Sequence, residues 1–425
     1  MRRILVLGAG FAGLWSAAGA ARKRDELGIA ADDVEIAVVN RNAWHSIRVR
    51  NYEADLAGTR VPLADVLDPI GVKIIKGEVT DIDVSQRRVA CSTVGGMVSV
   101  TYDRLVFALG SRLVRPPIPG LEAHGFDVDT YEAGARLNHH IATLPSRQSS
   151  SGQYTVLVIG GGLTGIEVAA EMFSKLRAAI VAAPASDRGA SPRVILADQG
   201  DWIGSDMGAG ARLVIAEALE ALGIETRVAV SVNSIDEDGA TFTSGQRVAA
   251  ATVVWCAGFR AHPLAARFPV ERDRLGRLPA DSCLKIRNMP TEFAAGDVAW
   301  LPIDGTHASV MSCQHARPMG RFAGHNVVCD LLGLPLLPLA IDWYVTCLDL
   351  GPWGAVYTEG WDRRVASKGT AAKRIKETIN RQRIYPPRSG EPSEIFEASA
   401  PIVQRPPGLT HSSATSGLSA TASDV

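Results

Sequence analysis

Two glycine-rich turns stand 152 residues apart in this 425-residue chain: Gly8-Ala9-Gly10-Phe11-Ala12-Gly13 and Gly160-Gly161-Gly162-Leu163-Thr164-Gly165. Each follows a short apolar run, Ile4 to Leu7 and Val156 to Ile159. Each leads into apolar residues at helical spacing, namely Leu14, Ala17, Ala18 and Ala21 in one copy and Ile166, Ala169, Ala170 and Phe173 in the other. In such a strand–turn–helix unit the first glycine permits the turn and the second lets backbone approach a pyrophosphate. The third lets the helix pack closely on the strand. The phosphates then meet free N–H groups at the positive end of the helix. One turn of this kind also arises from packing alone, but two in the same setting predict two dinucleotide sites. A chain with both can hold two dinucleotides face to face and pass electrons between them.

The sugar-recognition position differs between the copies. The strand Val34 to Val39 ends at Asn40, 27 residues past Gly13, and the strand Val194 to Ala197 ends at Asp198, 33 residues past Gly165. A carboxylate at that point accepts bonds from ribose hydroxyls and repels a 2′-phosphate, so Asp198 argues for NADH over NADPH; the alternative is a solvated strand-end residue. Asn40 accepts through its amide oxygen but carries no charge. Both spacings exceed the usual ~20 residues, which predicts inserted loops over Lys23 to Asp33 and Lys175 to Pro192.

Composition sets outer limits. Lys plus Arg (44) nearly balances Asp plus Glu (45), so no global field draws the chain to nucleic acid. The six cysteines, Cys91, Cys256, Cys283, Cys313, Cys329 and Cys347, show neither C-x-x-C nor zinc-like spacing, so no metal site is expected. They read as reduced, mostly buried thiols of a cytoplasmic protein. A strand beginning at Ile4 leaves no room for a signal peptide, and no apolar run reaches the ~18 residues of a membrane span.

Along the chain, the run Tyr102 to Ser111 closes the first nucleotide unit and Val253-Val254-Trp255-Cys256-Ala257-Gly258 closes the second. Glu292-Phe293-Ala294-Ala295-Gly296-Asp297-Val298 repeats the same ending, so the first unit resumes beyond the second. The expected fold is α/β, with two Rossmann-like dinucleotide-binding domains. A discontinuous FAD domain covers 1–113 and 259–335, and an inserted NAD domain covers 114–258. A small C-terminal α+β region follows over 336–385 as the acceptor interface. The Pro-, Ser-, Thr- and Ala-rich stretch 386–425 is expected to be disordered.

These pieces in this order, with Asn40-Arg41-Asn42-Ala43-Trp44-His45, Gly77-Glu78-Val79 and Ile166-Glu167, resemble the two-dinucleotide FAD/NAD(P) flavoprotein oxidoreductases. Within them the chain looks most like type II NADH:quinone oxidoreductases, over roughly residues 1 to 380. The resemblance implies FAD along Gly8, Gly10, Phe11, Ala12, Gly13, Asn40, Arg41, Val79, Ala108, Gly110, Gly296, Asp297 and Ala316. Asp297 would bond the ribityl chain from the N-terminus of the helix that follows. It implies NADH along Gly160, Gly162, Thr164, Gly165, Asp198 and Gly258. Glu167, in the first turn of its helix, would face the nicotinamide and flavin; the alternative is a simple charge favourable at a helix N-terminus. The chemistry the resemblance implies would be hydride transfer from nicotinamide C4 to flavin N5, with the protein supplying orientation and exclusion of water.

The departures from the family pattern concern the electron acceptor. The segment Cys313-Gln314-His315-Ala316 keeps the glutamine of the quinone pocket, but the next expected glutamine is Pro318. Gln314 is therefore read as an acceptor-site residue, or as a packing residue bonded to backbone. Val49-Arg50-Asn51-Tyr52 replaces an apolar stretch, so Arg48 and Arg50 either face a polar acceptor or are solvated loop charges. From Trp361 to Tyr385 there are eight Lys or Arg against Asp362 and Glu377. With Ala372, Ile375 and Ile379 on one face, that stretch reads as a surface helix packed on its own domain. The alternative is weak peripheral contact with the inner face of the cell membrane. Cys313 lacks a thiol partner and reads as a buried thiol in place of alanine; His45 and His315 read as packing groups. The leading expectation is an NADH oxidoreductase whose flavin reduces a quinone or quinone-like acceptor. Alternatives are a soluble non-quinone acceptor, or a nucleotide-sensing interaction protein. A homodimer is left open.

Overall fold

The computed structural model describes residues 1–147, 150–183 and 189–407. Its first sheet has five parallel strands in the spatial order Glu292–Ala294, Arg104–Phe107, Arg2–Leu7, Val34–Asn40, Lys73–Lys76. Ile4, Leu5, Val6 and Leu7 are fully buried, as an apolar run covered on both faces requires. An antiparallel meander, Glu78–Asp83, Arg88–Thr93 and Gly96–Thr101, carries the chain from Lys73–Lys76 back to Arg104–Phe107.

The second sheet repeats the plan in the order Gly125–Phe126, Thr252–Trp255, Thr155–Ile159, Arg193–Ala197, Glu225–Arg227, again all parallel. Its own meander is Val232–Asp236, Gly239–Phe242 and Arg247–Ala249. The chain leaves the first unit along Ser111–Leu113 and returns along Phe259–Ala261, and these two pieces pair antiparallel, Leu113 against Phe259. The insertion is thus tied at its neck, and Glu292–Ala294 then completes the first sheet. The wide spacing before Asp198 is taken up largely by helix, since Leu163–Val181 runs 19 residues against 16 for Phe11–Glu26.

Helix Cys313–Leu332 lies across helix Phe11–Glu26 at backbone contact. A Cβ on Gly320 would sit 2.3 Å from the Ala12 carbonyl oxygen, and one on Gly324 would sit 2.2 Å from that of Ser16. The C-terminal region is an antiparallel sheet, Val345–Asp349, Ala355–Glu359 and Arg364–Lys368, with helix Gly369–Thr378 packed on it. The buried stripe of that helix and its wide final turn Ile379–Arg383 is Ala372, Lys376 and Asn380, rather than the expected Ala372, Ile375 and Ile379.

Residues 386–407 depart from the expected disorder. Pro392–Ala398 is a helix started by its proline, Ile395 is fully buried, and the Ser399 hydroxyl donates to the Ala18 carbonyl at 3.3 Å. One isoleucine and one serine meeting a preformed helix suffice to order a segment whose average composition is polar. The expectation for 408–425 lies outside the described residues. Among the described residues no helix is long and apolar enough to cross a membrane, and all six cysteines are free.

The helix crossing yields a direct test. Gly324→Ala forces a methyl into the Ser16 carbonyl and should cost about 1–3 kcal/mol, the usual range for overpacking. Urea denaturation reads it, and an unchanged midpoint would mean that the two helices separate at no cost.

Candidate functional site

Both glycine turns are built alike. Gly8 (φ +92) and Gly160 (φ +113) adopt left-handed backbone, and a Cβ there would meet the Ala108 carbonyl oxygen at 2.7 Å or the Ala257 nitrogen at 2.9 Å. A Cβ on Gly13 or Gly165 would lie 1.9 Å or 1.7 Å from the carbonyl oxygen of Gly8 or Gly160. These glycines set the distance between strand and helix. Gly10 and Gly162 instead face open space, with nothing within 4 Å of a would-be Cβ. Each is the N-cap of its helix, makes no side-chain capping bond and has no acidic residue in the turn that follows. An open cradle at an uncapped helix N-terminus fits a pyrophosphate twice over.

The strand-end residues brace these turns. The Asn40 amide oxygen accepts from the Ala9 N–H at 3.0 Å, while its NH2 donates to the Asn42 carbonyl at 2.9 Å. The Asp198 carboxylate accepts from the N–H of Gly161 and from that of Gly200 at 2.7 Å. It is part-buried rather than a freely solvated strand end. Two accepted bonds leave a carboxylate with lone pairs to spare for ribose hydroxyls. Thr164 is half-buried one turn on. Gly258 (φ +82) lies against Val114, and its carbonyl takes the Val114 N–H at 2.8 Å. Arg41 is exposed beside the first turn, whereas Val79 is buried where the first meander begins.

Ala12, Gly296 and Ala316 converge from three separate elements. A Cβ on Gly296 would lie 2.8 Å from the Ala12 methyl and 3.6 Å from that of Ala316. Ala108 closes on Gly8, and Gly110 (φ +70) faces open space. Asp297 accepts from the Ser111 hydroxyl at 2.7 Å. Its setting corrects one expectation: it sits in a single 3₁₀ turn, Gly296–Val298, followed by the strand Ala299–Trp300. The long helix starts only at Cys313, so no helix dipole begins at Asp297.

The two histidines are structural. Burial lowers the His45 pKa to about 4; its Nδ1–H donates to the Ala9 carbonyl at 2.9 Å, and its ring stands edge-on to Phe11. Burial likewise lowers His315 to about 4, and its Nδ1 accepts the Val310 N–H at 2.9 Å. Neither arginine of the second departure is a solvated loop charge. Arg48 pairs with Asp129 and donates to the Ser111 hydroxyl at 2.9 Å. Arg50 grips both Glu53 oxygens and donates to the Tyr385 hydroxyl at 2.6 Å.

Glu167 is the fifth helical residue, beyond the first turn, and its surroundings replace the simple N-terminal charge. Its Oε1 accepts from Lys376 Nζ at 2.6 Å and from the Asp349 N–H at 3.1 Å. Burial pushes the Glu167 carboxyl up while Lys376 opposes it. Burial also works against the Lys376 ammonium, but Glu167, Cys347 and Asp349 outweigh it and hold that pKa high. Lys373 adds a bond to Asp349 at 2.6 Å. Lys376 escaped the sequence reading because a lysine was placed on the solvated face. Its spacing of four from Ala372 was the available signal.

Gln314 is spent on backbone: its NH2 donates to the Val345 carbonyl at 2.9 Å and its oxygen takes the Val345 N–H at 3.4 Å. It nevertheless borders a small cleft with Cys313, Pro318, Trp343, Val345 and Ile379. Cys313 is a free thiol with its pKa raised by burial, which makes a thiolate scarce. Replacing Lys376 with Met strands the Glu167 carboxylate and should cost about 3–5 kcal/mol. The Glu167→Gln, Lys376→Met double variant should recover most of it. Urea midpoints of the three variants check this, and a full loss retained in the double variant would show that the pairing is not what Lys376 contributes.

Residues 2–320 match the family model described as pyridine nucleotide-disulphide oxidoreductase. An NADH dehydrogenase-like protein of Mycobacterium tuberculosis is 53% identical over 407 residues, covering 96% of this chain and 100% of its own. A type II NADH:quinone oxidoreductase of Staphylococcus haemolyticus is 26% identical over 355 residues, covering 77% of this chain and 82% of its own. Among solved structures, NDH2 from Plasmodium falciparum in complex with NADH superposes with a TM-score of 0.73 at 12% identity, covering 94% of this chain and 97% of that one. The chain belongs to the pyridine nucleotide-disulphide oxidoreductase family, as an NADH-driven flavoprotein oxidoreductase with FAD and NADH as its cofactors.

Proposed function

We propose that FAD is held on the turn Gly8 to Gly13 and NADH on the turn Gly160 to Gly165, and that the electrons leave to a quinone. The observation that carries this reading is the duplicated cradle, in which the same glycine of each copy is left open at an uncapped helix N-terminus. Held there, FAD would supply the redox chemistry, as hydride acceptor from NADH and electron donor to the acceptor. The helix N-termini at Gly10 and Gly162 bind the two pyrophosphates. Asp198 accepts from the ribose of the second nucleotide, and Ser111, bonded to Asp297, fixes that carboxylate toward a polyhydroxyl chain. Both bonds to Glu167 fall on Oε1, leaving Oε2 to accept from the nicotinamide amide. Gln314, tied to Val345, stiffens the cleft in which the acceptor sits. The quinone reading draws on relatives named type II NADH:quinone oxidoreductase, 26% identical over 355 residues.

Purified protein mixed with NADH without oxygen should lose the ~450 nm flavin band, and an added naphthoquinone should restore it. Recovery with a soluble acceptor but with no quinone would move the assignment to the soluble acceptor. Protein that takes up no flavin would overturn the reading altogether. Asp198→Ala should lower the preference for NADH over NADPH in kcat/KM by about tenfold, the weight of one charged hydrogen bond. An unchanged preference would remove Asp198 from the ribose.

A further inference from the structure

Away from the glycine turns, one cavity of about 360 Å³ is walled by Trp15, Arg317, Arg321, Arg383, Tyr385 and Gln404 among others. Its charge is all of one sign. Arg321 is 1% exposed, lies 4.6 Å above the Trp15 ring, and makes no hydrogen bond or ion pair among the described residues. Among the described residues Arg317 donates only to the Gln404 amide oxygen, at 3.4 Å, and Arg383 only to the Arg405 carbonyl, at 2.6 Å. Elsewhere Arg48, Arg50, Arg104 and Arg115 each hold a carboxylate, and the buried Arg24 is taken up by the carbonyls of Val34, Ile70 and Gly71. Burial lowers Arg317 to about 10 and Arg321 to about 9, with Arg383 adding to both and Arg317 adding to the second. Arg317 and Arg321 therefore keep their charge at neutral pH.

The unpaired buried atoms here are donors: Nε of Arg317, Nε of Arg321 and the indole N–H of Trp15. Buried charge without a partner is strongly unfavourable, so the buried Arg321, with the unpaired donors of Arg317 and Trp15 beside the same void, describes half of a binding site. What completes it is a compact group rich in acceptor oxygens and carrying more than one negative charge. Guanidinium forks match phosphate in shape as well as charge.

We propose that this cavity binds a phosphate group, with Arg317, Arg321 and Arg383 neutralising it and Trp15 as a flat wall for whatever the phosphate carries. Arg317 and Arg383 also border the cleft beside Gln314, so the bound anion lies next to the proposed acceptor position. The site itself stands whether or not that acceptor is a quinone.

The test uses FAD-loaded protein saturated with NAD, so that the glycine turns are occupied. Calorimetry with pyrophosphate reports a soluble phosphate ester, and sedimentation with phosphatidylglycerol vesicles reports a lipid headgroup. Binding in either arm that weakens about tenfold or more in Arg383→Gln and Arg317→Gln supports the site and names the source. Arg321→Met supplies a second readout that does not need turnover. Removal of an uncompensated charge should raise the melting temperature of the ligand-free protein and abolish the further rise that pyrophosphate gives the wild type. No binding in either arm at millimolar ligand, or equal binding by wild type and both glutamine variants, would overturn the proposal. So would an Arg321→Met protein that melts lower and still responds to pyrophosphate.

Discussion

Helix Phe11–Glu26 is pinned at backbone distance on two sides, and the geometry of the first site follows from that. Gly13 brings it against the Gly8 carbonyl, while Gly320 and Gly324 bring helix Cys313–Leu332 against the carbonyls of Ala12 and Ser16. No side chain intervenes in either contact, so neither can be adjusted by a change of rotamer. The fixed separation brings Ala316 and Ala12 together around Gly296, and aims the uncapped N-terminus at open space. A cradle held this way pays little ordering cost when a phosphate arrives.

The second unit repeats the strand-to-helix contact through Gly165 and Gly160, but its far wall is different. There the partner is the C-terminal sheet and its helix, and the contact joins close packing to charge: a Cβ on Gly351 would lie 2.5 Å from the Ala170 carbonyl oxygen, while Glu167 pairs with Lys376 beside Asp349 with Lys373. A buried pair holds a definite geometry yet adds little net stability over an apolar contact. The two halves share one strand–turn–helix plan, and the second adds buried ion pairs to its close packing.

The sequence shows the fold clearly where local periodicity and glycine spacing agree. The two Rossmann-like units and the return at Glu292 can be read from apolar runs that end in small residues, whereas the two antiparallel meanders are known only from the structure. Residues whose role depends on distant partners are harder to read. Lys376 looks solvated until the helix is rotated so that Ala372 faces inward, and Arg48 and Arg50 look like loop charges until Asp129 and Tyr385 arrive from elsewhere in the chain. The tail misleads for a related reason: its composition is polar on average, while Ile395, with Phe396 and Ser399, seats Pro392–Ala398 on a surface built by another segment. Gln314 shows the reverse case: a family motif singles the residue out, and its bonds to the Val345 backbone are seen only in three dimensions.

The late return of the edge strand has a consequence for how the molecule is made. Every strand of the second sheet lies between Gly125 and Trp255, so that unit has all its parts once they clear the ribosome. The first unit begins at Arg2 but lacks both Glu292–Ala294 and the helix that covers Phe11–Glu26 until Leu332 has emerged. The amino-terminal sheet therefore closes after the inserted one, and for much of synthesis its apolar helix face depends on being shielded from other nascent chains.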